Sequence, residues 1–538
     1  MRVKGRTRIQ KKISSRSIYN VFITIFKIIL FSICLFLAYE GCKFSYYSSS
    51  NYQEPIFEQE DSVWIHLSIF LLVCIIVGIT LFLLNSLKER FLSKYFIMEK
   101  GVLITACAWL MILGLMYIVE HPYYPTGDQI NTTAGAAYAR AGNYVMFSRG
   151  GYIGLYEQQK GLLFLYEILF SIFGDFCYGV AACFHVIFSV ITLVAGYSLL
   201  KILADNSLYC ILYCIMMMSC MPYMIYLPYI YGDLPSICFA MVLFWAMAAY
   251  GKRLQRRYVV IGGAMAALAL LVRMNSWIVL IAVGIGMVLL ALEKKTFRPL
   301  LACMCIILAA WGTVKAVEKM YEYRSGYESG VGLPSILWMA MGLQETDGRP
   351  GVYNRYQQNV FEECGFEREP AIQVGREYIA MRLDEFKENP EYAYDFFLKK
   401  VKMQWLEPLF EGLYETNSFP EMEEIPEGAF SLYYGNLHDA IWKASNYYQS
   451  IVYLAMLSFV VGSILHKGGY LANSAGWIPL IAVVGGFLFC IVWESKSRYI
   501  LPYYMYMLPF ASMGIGKTAE GICGFCNRFF GKGIGKSV

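Results

Sequence analysis

Six ionisable side chains stand at the borders of long apolar runs: Asp128, Asp233, Arg273, Glu494, Lys496 and Arg498. They occur in four short stretches. These are His121-Pro122-Tyr123-Tyr124-Pro125-Thr126-Gly127-Asp128-Gln129, Tyr229-Ile230-Tyr231-Gly232-Asp233-Leu234-Pro235, Leu271-Val272-Arg273-Met274-Asn275 and Trp493-Glu494-Ser495-Lys496-Ser497-Arg498-Tyr499. A carboxylate that takes a proton from a hydroxyl, set beside cations that hold a phosphate, is equipment for moving a group off a phosphate leaving group. Each residue also has a plain structural reading. A charge at a span end commonly anchors a helix at the interface, its stem along apolar surface. Asp233 suits a helix N-cap ahead of Pro235, and Asp128 suits a turn between prolines and glycine. The set carries more information than any member.

The elements that must position these groups are membrane spans. The 538-residue chain is 58% hydrophobic and 16% charged, against about a quarter charged in soluble domains. Runs of the ~20 apolar residues needed to cross hydrocarbon recur along it. The formal charge of +5 comes from short loops between runs, so it informs topology and gives no reason to expect nucleic acid. The first eighteen residues hold seven Lys or Arg and no acid, which keeps them cytoplasmic under the positive-inside rule. Runs at 19–39, 63–84 and 102–119 then alternate through an acidic outer stretch (40–61) and a basic loop containing Lys88, Arg90, Lys94 and Lys100. Asp128 is thereby placed outside. The clusters Lys252-Arg253-Arg256-Arg257 and Lys294-Lys295-Arg298 fix the next spans, putting Asp233, Arg273 and the 494–498 segment on the same face as Asp128.

The count predicts an all-α polytopic membrane protein of about twelve transmembrane helices with both termini inside. An amphipathic helix is expected over 134–147. The short run 161–173 is read as re-entrant or interfacial, part of an outer loop 120–177. Five regions follow: a basic tail and two spans (1–100), a core (101–317), a mostly helical outer loop domain (318–448), three spans (449–516) and a basic tail (517–538). The apolar stretch Leu333–Leu343 is read as packing over the site or as a buried loop-domain helix. Tyr clusters such as Tyr226 to Tyr231 match interfacial belts.

Taken in order, these stretches resemble the GT-C superfamily of lipid-linked glycosyltransferases, in particular the bacterial protein O-mannosyltransferase and aminoarabinose transferase branch. The matching features are the acidic first-loop motif at Asp128, the Gln159-Lys160-Gly161 stretch and the outer Asp233. Arg273 with Asn275, and Glu494, Arg498, Tyr499 and Pro502, complete the set. The resemblance implies a polyprenyl-phosphate-linked sugar donor, a glycan, lipid or protein acceptor, and inverting transfer at the extracytoplasmic face of a bacterial cell membrane. It implies Asp128 as general base and Arg498, with Lys496 and Arg273, at the donor phosphate. Asp233 would orient the acceptor, bind a divalent cation or hold an arginine, with Glu494, Tyr499, Gln129 and Lys160 in support. The family often carries a second acid where Gln129 stands, so a Mg²⁺ or Mn²⁺ site there lacks one ligand.

Other motifs carry less. Ala511 to Thr518 fits a relaxed phosphate-loop pattern, but it ends a span, whereas a phosphate loop joins a strand to a helix. Cys523 and Cys526 form a single C-x-x-C, half of a zinc site. Cys42 and Cys364 are the two external cysteines available for a disulfide. Asn131 opens a glycosylation sequon that has meaning only in a eukaryote. A twelve-span transporter or lipid flippase is the main alternative. It favours internal repeats and mid-membrane charges, which this sequence does not display. A lipid-linked glycan polymerase or ligase would rely on arginines without Asp128.

Overall fold

The structure, a computed structural model, describes residues 15–48, 56–86, 92–121, 124–417, 427–466 and 470–534. The basic tail up to residue 14, Lys88, Arg90 and the Pro122-Tyr123 part of the aromatic turn lie outside the described residues.

The chain begins with α1 (Ser15–Lys43), a hairpin of β1 (Phe44–Ser48) and β2 (Ile56–Glu60), α2 (Val63–Ser86) and α3 (Leu92–Glu120). Next come α4 (Gly127–Arg140), α5 (Tyr152–Leu155), α6 (Lys160–Phe173), α7 (Cys177–Leu203), α8 (Ser207–Ser219) and α9 (Met221–Ile225). The centre is built from α10 (Asp233–Arg253), α11 (Arg256–Val272), α12 (Trp277–Lys294) and α13 (Arg298–Ser325). A helical region follows: α14 (Ser335–Gly342), the two-residue strands β3 (Glu345–Thr346) and β4 (Arg349–Pro350), then α15 (Tyr356–Glu363), α16 (Arg368–Glu388), α17 (Pro390–Trp405), α18 (Gly412–Thr416) and α19 (Glu427–Tyr434). Last come α20 (Asn436–Leu465), α21 (Ile478–Val492) and α22 (Leu501–Ile534).

Nearly every element is helical, as expected for chain in hydrocarbon, where each peptide group must find its hydrogen bond within its own segment. Among the described residues nine helical stretches are long and apolar enough to cross a membrane. The other three expected crossings fall on α8 with 13 residues, α11 with 17, and the Tyr-, Pro- and Gly-rich first half of α22. Burial orders the bundle: 89% of the apolar window of α10 is inside, against 17% for α2 and for α3. The central helix is therefore α10, flanked by α7 and α11, while α2 and α3 present rows of exposed Ile, Leu and Met. The first residue of this central helix is Asp233.

The N-terminal helices join the bundle directly, α1 on α20 and α2 on α22. The β1 strand ties to the loop region through Tyr46 N–H donating to the Leu406 carbonyl at 3.0 Å. Two long helices extend past the expected span ends, α13 to Ser325 and α20 back to Asn436. The α6 helix lies against the extension of α13: Tyr321 donates to Glu167 at 2.6 Å and Arg324 Nη1 at 3.0 Å. It also packs on α4 and α11. The discounted phosphate-loop pattern at Ala511 to Thr518 is uninterrupted α22 helix. All sixteen cysteines are free, so Cys42 and Cys364 are not bridged, and Cys42 is buried.

Candidate functional site

The first-loop helix starts seven residues earlier than the periodicity predicts. It runs over Gly127–Arg140 and stops there because Gly142 takes a left-handed φ of 76°. The Asn143 N–H then caps the Tyr138 carbonyl at 2.9 Å, the usual way a glycine ends a helix. Asp128 therefore stands in the first turn of α4, where the helix dipole favours a negative charge. Its side chain is exposed, and the Tyr152 hydroxyl donates to its Oδ1 at 2.9 Å. Burial, then the neighbouring Tyr231 and Asp128, raise the Tyr152 phenol well above its ordinary value, so it remains a donor. His121, which opens the stretch, is buried against Tyr433 of α19.

The cations gather on the other side of Tyr231. The Arg498 side chain is buried among the rings of Tyr229, Tyr231 and Tyr499, its guanidinium 5.5, 5.5 and 5.7 Å from their centroids. Arg498 Nη1 lies 3.0 Å from Glu415 Oε2 and bonds the Tyr229 hydroxyl. Its buried Nε has no protein acceptor among the described residues. Lys496 reaches Glu415 Oε1 at 2.9 Å. Arg273 covers the Tyr499 ring at 5.4 Å and pairs with Asp233, and the Tyr499 hydroxyl donates to Glu494 Oε2 at 3.0 Å. Tyr231 bonds Gln159 and stands within electrostatic reach of both Asp128 and Arg498.

The 494–498 segment is held in place by the loop region. Ser497 N–H donates to Glu411 Oε1 at 2.8 Å, and the Ser497 hydroxyl reaches both Glu411 and Glu407. Burial lifts the Glu407 carboxyl to about 7. Ser495 N–H donates to the Gly351 carbonyl at 2.6 Å, and buried Lys400 of α17 fastens the Gly342 carbonyl. The start of α10 is pressed equally closely: a Cβ on Gly232 would lie 2.0 Å from the Val272 carbonyl oxygen, just before Arg273. Because that neighbour is backbone, Gly232→Ala should lower the thermal unfolding midpoint of the purified protein. The expected cost is an overpacking of about 1–3 kcal/mol. A midpoint equal to wild type would show that the approach relaxes freely.

Several sequence expectations change here. Asp233 does not cap α10; Gly232 holds that position and the Asp233 carboxylate, fully buried, goes to Arg273. Lys160 is buried, on Glu157 at 3.4 Å and on Ser329 at 2.8 Å. Gln129 is buried within α4. Tyr226, Tyr229 and Tyr231 are buried too, not a belt at the interface: Tyr229 and Tyr231 lie on Arg498, while Tyr226 packs on Tyr229 and donates to the Phe410 carbonyl. The 333–343 stretch holds the half-buried helix α14, whose Trp338 meets Tyr156 at 5.9 Å. Sequence reasoning missed Glu415, Tyr152 and the Glu407–Glu411 pair. The spacing Glu407, Glu411, Glu415 was a visible signal, one acid every four residues.

Asp233 is engaged by Arg273 and Asp128 accepts from Tyr152, and among the described residues no three His, Cys, Asp or Glu side chains converge.

A helical bundle with several apolar crossings, its charged residues gathered at the end of its most buried helix, defines a polytopic integral membrane protein. The chain belongs to the family described as conserved hypothetical integral membrane protein, whose model matches residues 15–519. No curated protein matches the sequence. Among solved structures the chain is similar to an archaeal oligosaccharyltransferase, AglB from Archaeoglobus fulgidus, in complex with an inhibitory peptide and a dolichol-phosphate. The identity is 10% and the TM-score 0.38, over 84% of this chain and 53% of that one. The chain thus spans about half the length of that protein.

Proposed function

We propose that this protein is a membrane glycosyltransferase of the GT-C type. It moves a sugar from a polyprenyl-phosphate donor to an acceptor hydroxyl at the extracytoplasmic face of the cell membrane. The observation that carries the reading is an exposed, tyrosine-oriented carboxylate, Asp128, together with a buried arginine, Arg498, held among Tyr229, Tyr231 and Tyr499 and against Glu415.

Asp128 accepts the acceptor's hydroxyl proton as the oxygen attacks the anomeric carbon, and the sugar–phosphate bond breaks with inversion. The leaving group departs as an anion, so it needs charge stabilisation and no general acid. Arg498 supplies that through its Nε–H, which has no protein acceptor among the described residues, as guanidinium N–H groups donate strongly to phosphate oxygens. Lys496 adds charge beside it. Arg273, held by Asp233, keeps Tyr499 and the cation cluster in register. Glu415 balances the cations so that the cluster can be buried before donor arrives.

The test is purification of the protein from its native membrane, mass spectrometry of co-purifying lipid and glycan, and an assay of transfer from the lipid found. Polyprenyl-phosphate sugars and their transferred product are expected. Absence of any phosphate-linked prenyl lipid, together with no transfer from supplied polyprenyl-phosphate sugars, would overturn the reading.

A further inference from the structure

A run of aromatic side chains leads away from Asp128 and ends beside Glu494. Tyr152 and Tyr156 of the α5 segment are 4.9 Å apart by ring centroid, and Tyr156 meets Trp338 of α14 edge-on at 5.9 Å. Trp338 and Trp493 are 6.1 Å apart and within 5° of parallel. All four rings are half-buried, so each keeps part of its surface open. Tyr353 flanks them, 39% exposed. Polar groups border the rings throughout: Asp128 on the Tyr152 hydroxyl, and Gln358, which donates to the Tyr156 hydroxyl at 2.5 Å and accepts from Tyr353 at 3.2 Å. Burial first, then the neighbouring Tyr353, and after it Asp128 and Glu494, raise the Tyr156 phenol above its ordinary value; burial raises Tyr353 too, with Glu494 and Asp128 adding to it against a lowering hydrogen bond with Tyr156. Both carboxylates therefore act on the same patch.

We propose that this ledge binds a sugar ring, so that the attacking hydroxyl belongs to a glycan acceptor; the inference rests on the transferase reading above. A pyranose has apolar C–H faces and a rim of hydroxyls. It is matched by flat amphipathic rings edged with carboxylate, amide and phenol groups that accept and donate. An acyl chain would use the rings and leave those polar groups without partners, at the cost of their desolvation. An extended peptide would seek main-chain donors and acceptors, whereas the polar groups along this ledge are side chains.

The experiment places the photoreactive residue p-benzoylphenylalanine at position 338 of the full chain, in its own membrane and in the Asp128→Asn background, and reads adducts by mass spectrometry. Adducts with mass ladders spaced by sugar residues are expected. Peptide or acyl-chain adducts, or yields no higher than with the same probe at exposed Tyr394, overturn the inference. In the transfer assay Trp338→Ala should raise the acceptor KM about tenfold, the weight of one lost aromatic contact, with kcat retained and Trp338→Phe near wild type. An unchanged KM overturns it as well. The two readings fail separately. Glycan adducts without transfer leave the ledge standing and remove the transferase, while transfer with peptide or lipid adducts removes the ledge alone.

Discussion

Asp128→Asn should abolish transfer while the protein still folds and still binds its donor lipid. The side chain is exposed and its contact is the Tyr152 hydroxyl, which an amide oxygen accepts equally well. Exposed substitutions away from packing features usually change stability within about ±0.5 kcal/mol. The loss would therefore fall on the reaction, and a positioned base contributes about 10²–10⁴-fold. Tyr152→Phe keeps the carboxylate and removes its orienting donor, so its loss should be smaller than that of Asp128→Asn. The check is turnover of purified variants at saturating donor, alongside donor binding and thermal unfolding. Wild-type turnover in Asp128→Asn would take that residue out of the mechanism. A parallel loss of donor binding would make it a binding group and not a base.

The same two residues show what was and was not legible in the sequence. Asp128 stood out as a candidate because a span end, charge-counted topology and a polar turn are local or additive features. Its helix boundary was misplaced because Ala-rich sequence continues to Ala141, and the stop depends on the backbone geometry at Gly142. The residues at the candidate phosphate end were legible as a set but not as a network. Arg273 and Asp233 are forty residues apart, and only the packing of α10 on α11 brings them together. Tyr226 to Tyr231 looked like an interfacial belt because composition alone cannot separate a ring facing lipid headgroups from one covering a guanidinium. Glu407, Glu411 and Glu415 were spaced like one face of a helix. Yet Phe410 and Glu411 take left-handed backbone, and the three carboxylates meet the 496–498 segment because the chain bends there. The spacing is visible in the sequence, but the segment the three carboxylates meet is not.

Glu415→Gln should be among the most destabilising single changes at this end of the bundle. Its carboxylate touches Lys496 at 2.9 Å, Arg498 at 3.0 Å and the Tyr229 hydroxyl at 2.8 Å, all largely shielded from solvent. Burial pushes its proton affinity up, but Arg498 and then Lys496 outweigh it and hold the carboxyl down to about 2, against 4.5 ordinarily. Removing it leaves two buried cations facing a neutral amide, and a buried pair broken on one side costs about 3–5 kcal/mol. Arg498→Met should cost less, because Glu415 keeps Lys496, and adding it to Glu415→Gln should recover part of the loss, as coupled neighbours do. The pH dependence follows from the sign. A carboxyl depressed in the folded state stabilises fully above its unfolded value, near 4.5, and loses that contribution as pH falls toward 2. Unfolding midpoints in detergent should therefore converge for wild type and Glu415→Gln between pH 4.5 and 2, and stay separated above. Curves that run parallel across that window would show that Glu415 does not carry the charge that holds Arg498 in place.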